Sequence, residues 1–283
     1  MRLHPAMALL ALAPVAVPSL AAQTWRTMDV SRQAHDTAAI AAHIDYAAGK
    51  LDLKPAAGGA LYRATVRYDA DRAEPVAAFN ASSRVLDLGV HLRGMHISDN
   101  GDANDAGSMQ AELSAAVPVD LSLELGAVEA DLQLGGLRLT DLALRSGAAD
   151  ITARFNKPNP EPLRTMTLQV GAAEVKVLDA ANSGVSRIVA EVGAGSLSID
   201  LGGVLTRDVD ITATLALGGL ELSVAPDDGV FVDERTLLGS FAKDGFTKRA
   251  DGWYSDNYDA AARHVRVHLH AFLGSLKLSR VQK

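Results

Sequence analysis

One short pattern recurs along this chain and constrains its fold more than any other feature: glycine, any residue, leucine, any residue, then leucine or isoleucine. Its five full copies are Gly49-Lys-Leu-Asp-Leu53, Gly135-Gly-Leu-Arg-Leu139, Gly195-Ser-Leu-Ser-Ile199, Gly218-Gly-Leu-Glu-Leu222 and Gly274-Ser-Leu-Lys-Leu278. Near copies, which keep the final aliphatic residue, begin at Gly147 and Gly171. Since Gly147, Gly171 and Gly195 stand 24 residues apart, the sequence predicts a structural repeat of that length.

Gly126 heads an earlier member of the series, and apolar and polar residues alternate before many of these glycines, as in residues 119–125, 209–215 and 265–269. Such alternation puts the apolar side chains on one face of a β-strand, and glycine allows a sharp corner between two strands. A unit of about 24 residues cannot bury a core alone, so the units must stack. The sequence therefore predicts an all-β protein: a β-solenoid, or β-helix-like stack of short strands with glycine corners.

An antiparallel hairpin meander or sandwich is the alternative. In that fold Gly218 and Gly219 would form the turn of a hairpin between the alternating segments 211–217 and 220–224. Local pattern alone does not separate the two folds, because both place glycine between alternating strands. The alternative therefore stays open at this point.

The first residues predict a secretory signal peptide, residues 1–21. Arg2 precedes an apolar segment, residues 6–17, that is too short to cross a membrane, which needs about 20 residues. Small residues at Ser19 and Ala21 predict cleavage after Ala21, with Ala22 as a nearby alternative. No later apolar segment is long enough for a membrane helix. We expect an exported protein of the periplasm or cell surface, without a transmembrane span in the mature chain.

Composition excludes several classes of function. The chain of 283 residues has a net charge of -7 and no cysteine, which argues against nucleic-acid binding, disulfides and thiol chemistry. Apolar residues make up 48% of it but aromatic residues only 5%, so its core is expected to be aliphatic. It carries no nucleophile elbow, phosphate loop, dinucleotide fingerprint or zinc-protease motif. We therefore predict no catalytic residues, no metal and no cofactor.

Two segments nevertheless carry residue types that bind metals. His264, His268 and His270 share one strand face with Arg266, and two such imidazoles can bind zinc or copper if a third ligand joins them. The acidic segment 99–105 offers oxygen ligands for calcium but misses the spacing of a calcium-binding loop. Both segments are predicted to be ordinary solvated surface, and the question of metal binding stays open.

An aromatic cluster near the C-terminus is the candidate partner-binding site: Trp253, Tyr254 and Tyr258. Exposed aromatic side chains often dominate binding to a partner. The same three side chains could instead pack over the last strands as an apolar plug. We keep both interpretations.

Four sequence features resemble the toast-rack family: the glycine–leucine repeats, Val-Gly-Ala-Ala-Glu-Val175, Gly-Ala-Gly-Ser-Leu-Ser-Ile-Asp200 and Gly-Trp-Tyr-Ser-Asp-Asn-Tyr258. That family consists of secreted or envelope-anchored bacterial β-solenoids, many named as candidate adhesins. It is similar to the C-terminal domain of LiaF-type cell-wall-active antibiotic response proteins. The resemblance covers the chain from about Gln23 to its end and implies no defined catalytic residues.

The places where the apolar period is lost also predict a domain organisation. Residues 22–97 are expected to form N-terminal toast-rack-like strands, 98–108 a loop of turn-forming residues, and 109–283 a toast-rack solenoid with an irregular insertion at 227–259. The expected function is that of a non-catalytic exported envelope or cell-surface protein, an adhesin-like scaffold that binds an envelope protein or a cell-wall component. The alternatives are a regulator of the envelope stress response, acting through a protein partner, and a polysaccharide-acting enzyme on a β-helix.

Overall fold

The computed structural model describes residues 24–93, 107–237, 240, 241 and 243–280. The predicted signal peptide, residues 1–21, and nearly all of the predicted loop 98–108, with its acidic segment 99–105, lie outside the described residues.

The described residues form 21 β-strands, all joined in one hydrogen-bonded sheet system. The strands in the first half of the chain are β1 Trp25–Gln33, β2 Ile40–Pro55, β3 Ala60–Asp69, β4 Ala73–Asn80, β5 Val85–Leu92, β6 Ser108–Leu113, β7 Pro118–Gln133, β8 Arg138–Ser146 and β9 Asp150–Arg154. Those in the second half are β10 Thr165–Val170, β11 Glu174–Leu178, β12 Arg187–Val192, β13 Ser196–Asp200, β14 Val209–Leu215, β15 Gly219–Val224, β16 Gly229–Thr236, β17 Ser240–Phe241, β18 Phe246–Arg249, β19 Gly252–Ser255, β20 His264–Ala271 and β21 Ser275–Arg280. Short 3₁₀ turns occur at Ala180–Ser183 and Tyr258–Ala260.

Most of these strands belong to two parallel ladders that meet at a corner. The first ladder runs in space as β5, β2, β7, β8, β10, β12, β14, β20 and β16. The second runs as β6, β2, β7, β9, β11, β13, β15, β21 and β17, with the long strands β2 and β7 bending through both. One strand from each ladder makes a rung, and the stack of rungs is the predicted β-solenoid.

The hairpin meander is therefore wrong. The strands β14 and β15, which flank Gly218 and Gly219, do not pair with each other. Each pairs in parallel with the equivalent strand of the rung before it, β12 and β13 respectively, and of the rung after it, β20 and β21. The parallel stack satisfies the backbone of both strands and buries the same apolar face that a hairpin would have buried.

Aliphatic side chains fill the interior in files that run along the stack. Register puts one inward file of the first ladder in direct contact from end to end, and none of its members is more than 3% exposed: Leu86, Ala42, Leu121, Leu142, Met166, Ile188, Ile211, Val267 and Val232. The return loops close the third side of the stack with buried Phe155, Leu163 and Leu201. Each such leucine contributes about 1.5–3 kcal/mol by leaving water.

Three corner residues join the two strands of a rung, and glycine can stand at the first or the third of them. Gln169 pairs with Glu191, so this rung is 22 residues long. Gly171 and Gly193, two residues after each of them, therefore stack on each other at the first corner position. Gly195 stands at the third position, so the regular spacing predicted through Gly195 is wrong at this rung. The rung between Arg145 and Gln169 does have the predicted length of 24 residues.

Both ends of the stack depart from chain order. At one end β2 lies between β7 and the later strands β5 and β6. At the other, β20 and β21 lie between β14 and β15 on one side and the earlier strands β16 and β17 on the other. Antiparallel strands then cover the first ladder: β4 pairs with β5, and β19 and β18 extend from β16. Residues of the predicted insertion 227–259 thus form both a rung, β16 and β17, and a cap, β18 and β19.

Candidate functional site

A groove follows the corner between the two ladders and encloses about 760 Å³. We call it the corner groove. Its floor consists of the small first corner residues of successive rungs: Ala47, Gly126, Gly147, Gly171, Gly193 and Ala216. Its wall consists of the outward side chains two positions earlier: Asp45, Glu124, Arg145, Gln169, Glu191 and Thr214.

Strand alternation and parallel register together build this wall. The residue just before the corner, such as Leu125 or Val192, points inward and is buried, so the residue before it points outward. Parallel pairing then sets Glu124 opposite Arg145 and Arg145 opposite Gln169, about 4.8 Å apart from rung to rung. A row of polar groups results, at a spacing that the backbone fixes.

Side chains of the wall bond to one another along the row. Arg145 donates from Nη1 to Oε1 of Glu124 at 3.1 Å and from Nε to Oε1 of Gln169 at 2.6 Å. Gln169 donates from Nε2 to Oε2 of Glu191 at 2.9 Å. Glu124 and Arg145 stay about half exposed, at 58% and 51%. Since Asp45, Glu124 and Glu191 face one arginine, the row is acidic overall.

The groove continues at its β2 end into a second cavity of about 450 Å³, which we call the acidic end. Asp45 and Glu124 line both cavities, and Asp87 adds another carboxylate at the acidic end. His91 lies there with its Nε2 3.5 Å from Oδ2 of Asp45. Strand β4 supplies Val76 as part of the opposite wall.

Bulky apolar side chains stand at the other end of the groove and form what we call the apolar end: Leu217, Leu237, Phe272 and Leu273, which are 43–68% exposed. The amide of Phe272 donates to the carbonyl of Leu215, and that of Leu273 to the carbonyl of Ala216. Phe272 and Leu273 therefore continue the corner one rung beyond Ala216. Small floor residues give way there to large ones.

The predicted partner-binding residues Trp253, Tyr254 and Tyr258 lie in the C-terminal cap, all half-buried, but they do not form one surface. Trp253 and Tyr254 are neighbours in β19 and so point to opposite faces. Trp253 packs against the core, with Nζ of Lys243 4.7 Å and Nζ of Lys248 5.5 Å from its ring centre.

Tyr254 and Tyr258 do lie together, on the outward face of the first ladder, with ring centres 4.8 Å apart. The guanidinium of Arg249 lies 4.3 Å above the Tyr254 ring. The Tyr254 hydroxyl donates to Asp251 at 2.8 Å, and this hydrogen bond raises the pKa of Tyr254. The aromatic groups of this face are thus already engaged with charged neighbours.

The histidines of β20 point outward, opposite the buried residues of the same strand: His264, His268 and His270. Nδ1 of His264 lies 3.7 Å from Asp208, and Nδ1 of His268 lies 3.6 Å from Asp233. Within the described residues, no three histidine or acidic side chains form a group that could hold a metal ion.

Asp208 is the acceptor for two neighbours on β20. Partial burial acts to raise the pKa of Asp208, but the backbone amide of His264 and the Arg266 guanidinium donate to its carboxylate and hold the pKa below its usual value. The Arg266 bond is 2.8 Å long.

Sequence reasoning missed the corner groove, although a signal for it exists. A polar residue stands two positions before each small first corner residue, as in Glu-Leu-Gly126, Arg-Ser-Gly147, Gln-Val-Gly171 and Glu-Val-Gly193. The pattern becomes visible only when Gly193 replaces Gly195 as the partner of Gly171.

In the parts of the chain that the structure describes, no helix has the length and apolarity needed to cross a membrane.

Comparison with known proteins gives one family. The family model described as "N-terminal domain of toast_rack, DUF2154" matches residues 22–178. No curated protein matches the chain.

Several solved structures are similar to the chain at low identity. A candidate cell adhesion protein from Clostridium sporogenes has 14% identity and a TM-score of 0.44, over 92% of this chain and 100% of that one. A candidate adhesin from Bacteroides fragilis has 9% identity and a TM-score of 0.44, over 91% and 98%. A candidate lipid binding protein from Parabacteroides distasonis has 10% identity and a TM-score of 0.37, over 92% and 97%.

Proposed function

The chain belongs to the toast-rack family, whose N-terminal domain matches residues 22–178, and on this premise we propose that it is a non-catalytic scaffold of the bacterial envelope or cell surface. In this proposal the protein is exported to the periplasm or cell surface. It holds a partner there, an envelope protein or a cell-wall component, in the corner groove.

The arrangement of the groove wall is the observation that supports binding rather than catalysis. Its polar groups follow one another from rung to rung, and Arg145 and Gln169 bond to their neighbours in the same row. Catalytic groups converge on the few atoms that react. A straight row at a fixed spacing instead offers repeated contacts to an elongated ligand. Strands paired on both sides hold the row rigid, so little side-chain order has to be created on binding.

Crosslinking in envelope extract tests the binding surface. We expect the wild-type protein to crosslink to a partner that the triple variant Glu124→Ala, Arg145→Ala, Gln169→Ala does not retain. A matched triple variant on the outward face of the second ladder, Ser198→Ala, Glu221→Ala, Lys277→Ala, should retain it. Equal recovery by all three proteins would contradict a role for the groove. Tyr254→Ala, analysed in parallel, reports whether the cap contributes a second contact.

Export has its own test. Because small residues precede Ala22, we expect signal peptidase to cleave after Ala21. N-terminal sequencing of the protein from the periplasmic or extracellular fraction should therefore begin at Ala22, or at Gln23 for the alternative site. An intact chain retained in the cytoplasm would contradict the proposed location.

Turnover of a cell-wall polysaccharide by the purified protein, lost in the groove triple variant, would contradict the non-catalytic role.

A further inference from the structure

We infer that the corner groove binds an extended, basic segment of polypeptide that carries bulky apolar side chains at one end. The inference rests on the proposed function and names the class of partner. It follows from three features of the groove: its charge, its apolar end and its length.

Charge favours a cationic occupant. Carboxylates of Asp45, Asp87, Glu124 and Glu191 line the groove and its acidic end, whereas Arg145 is the one lysine or arginine among the described lining residues. Arg145 already donates to Glu124 and to Gln169, so little of its positive charge remains to attract an anion. Lysine or arginine side chains of a ligand would complement the remaining negative potential, most strongly at the acidic end.

The apolar end requires a different kind of side chain. Leu217, Leu237, Phe272 and Leu273 present large apolar surface to water on adjoining corner positions, with 61%, 68%, 56% and 43% exposed. A contiguous exposed apolar patch on a soluble domain marks a contact surface. Aliphatic or aromatic ligand residues would cover this patch. The ligand therefore carries its charges and its apolar residues at opposite ends.

Length and lining favour an extended peptide. From β2 to β20 the corner crosses six rung spacings of about 4.8 Å, close to 29 Å, which nine extended residues span at about 3.3 Å each. Backbone at Gly126, Gly147 and Gly171 forms the floor, so a ligand main chain can approach closely. None of the described residues that line the corner groove is aromatic, and Phe272 at the apolar end is the first aromatic side chain met on the way from β2. The groove therefore lacks the stacked aromatic platforms that hold sugars.

Fluorescence anisotropy with labelled peptides tests the inference on the purified protein. The probe is the nonapeptide Lys-Ser-Lys-Ser-Ala-Ser-Leu-Ala-Phe. One matched peptide carries glutamate in place of both lysines, and another carries serine in place of leucine and phenylalanine. We expect the probe to bind at least about tenfold more tightly than the acidic peptide at low salt, with the difference shrinking in 0.3 M salt.

Paired variants locate the binding. The double variant Asp45→Asn, Glu124→Gln should weaken the probe about fivefold and should not weaken the acidic peptide, because it removes two carboxylates that attract lysine and repel glutamate. Phe272→Ser with Leu273→Ser should weaken the probe but not the peptide that lacks leucine and phenylalanine. Asp150→Asn with Glu221→Gln, on the outward face of the second ladder, should change nothing. Equal affinity for basic and acidic peptides, or affinity that neither groove variant alters, overturns the inference.

The two proposals fail in different ways. If the crosslinked envelope partner depends on the groove but the probe does not bind, the scaffold function stands and the basic peptide is wrong; a polysaccharide found in the groove would be such a result. If the probe binds in the groove but the envelope partner is recovered equally by the groove triple variant, the proposed function is wrong.

Discussion

At the scale of single residues, the corner glycines show what a sequence pattern can reveal and where it stops. Glycine at Gly126, Gly147 and Gly171 predicted sharp corners between strands, and the structure has corners there. It did not reveal which glycines stack, since Gly195 serves the third corner position and Gly193 the first. Both positions bring backbone against backbone from the previous rung, so either can require glycine. Spacing alone cannot distinguish them.

Gly126 and Gly147 give a matched test of this close approach. A Cβ at Gly126 would lie 2.2 Å from the carbonyl oxygen of Ala47, whereas one at Gly147 would lie 3.3 Å from that of Gly126. We expect Gly126→Ala to lower the free energy of unfolding by about 1–3 kcal/mol and Gly147→Ala by clearly less. Urea denaturation of both variants measures the difference, and equal effects would contradict the geometry.

Asp208 gives a pH-dependent prediction. Because its pKa is lowered in the folded state, its ionised form stabilises the protein above the unfolded pKa of about 4, and that contribution disappears as pH falls through the lowered pKa. Asp208→Asn should cost about 0.5–1 kcal/mol at pH 7, a modest value because the carboxylate is 36% exposed, and almost nothing near pH 2. Denaturation at both pH values measures this. A loss that persists unchanged in acid would contradict it.

At the scale of elements, alternation predicted most strands but not their partners. The inward and outward faces of β14, β15 and β20 follow directly from period two. The pairing of strands far apart in sequence, such as β10 with β12 or β14 with β20, is decided by how the rungs stack. The local sequence of a strand does not show which strand it will pair with. The sequence grouped Trp253 with Tyr254 because 227–259 was predicted to be irregular, whereas in β19 the two residues are neighbours and point to opposite faces. The groove was missed because its wall joins residues from separate rungs.

The two faces of β19 predict different effects of substitution. Trp253 packs against the core beside Val232, so Trp253→Ala should lower the free energy of unfolding by about 2–4 kcal/mol. Tyr254→Ala loses ring contacts on the outer face and should cost about 1 kcal/mol. Thermal unfolding compares the two variants. A larger loss from Tyr254→Ala would show that the cap depends on its outer face.

At the scale of the whole molecule, the exchanged strand order at the C-terminal end governs assembly. Strands β16 and β17 form the outermost rung although they precede β20 and β21 in the chain, and β20 and β21 lie between them and β14 and β15. The last segment of the chain therefore completes the interior of the stack. Contacts between positions so far apart in sequence form slowly, because a long loop must close first.

A truncation tests this arrangement. Removing residues 263–283 takes away the rung between β14 and β15 on one side and β16 and β17 on the other, about 4.8 Å of the stack, so that these four strands lose their pairings with β20 and β21. We expect the truncated chain to lose its cooperative thermal transition. A synthetic peptide of residues 263–280 should restore the thermal transition, and native mass spectrometry should show one peptide bound per chain. The same peptide with Val267→Asp should do neither. An unchanged transition in the truncated chain would contradict the inserted position of β20 and β21.

The exchanged ends also limit how a protein of this kind can lengthen over evolutionary time. A rung added at either end of the first ladder would meet an antiparallel strand, β4 beyond β5 or β19 beyond β16. A duplicated rung between β8 and β14, by contrast, finds equivalent parallel neighbours above and below. Longer descendants should therefore carry their extra units in the middle of the gene, and each insertion would extend the corner groove by one rung while both ends of the stack stay as they are.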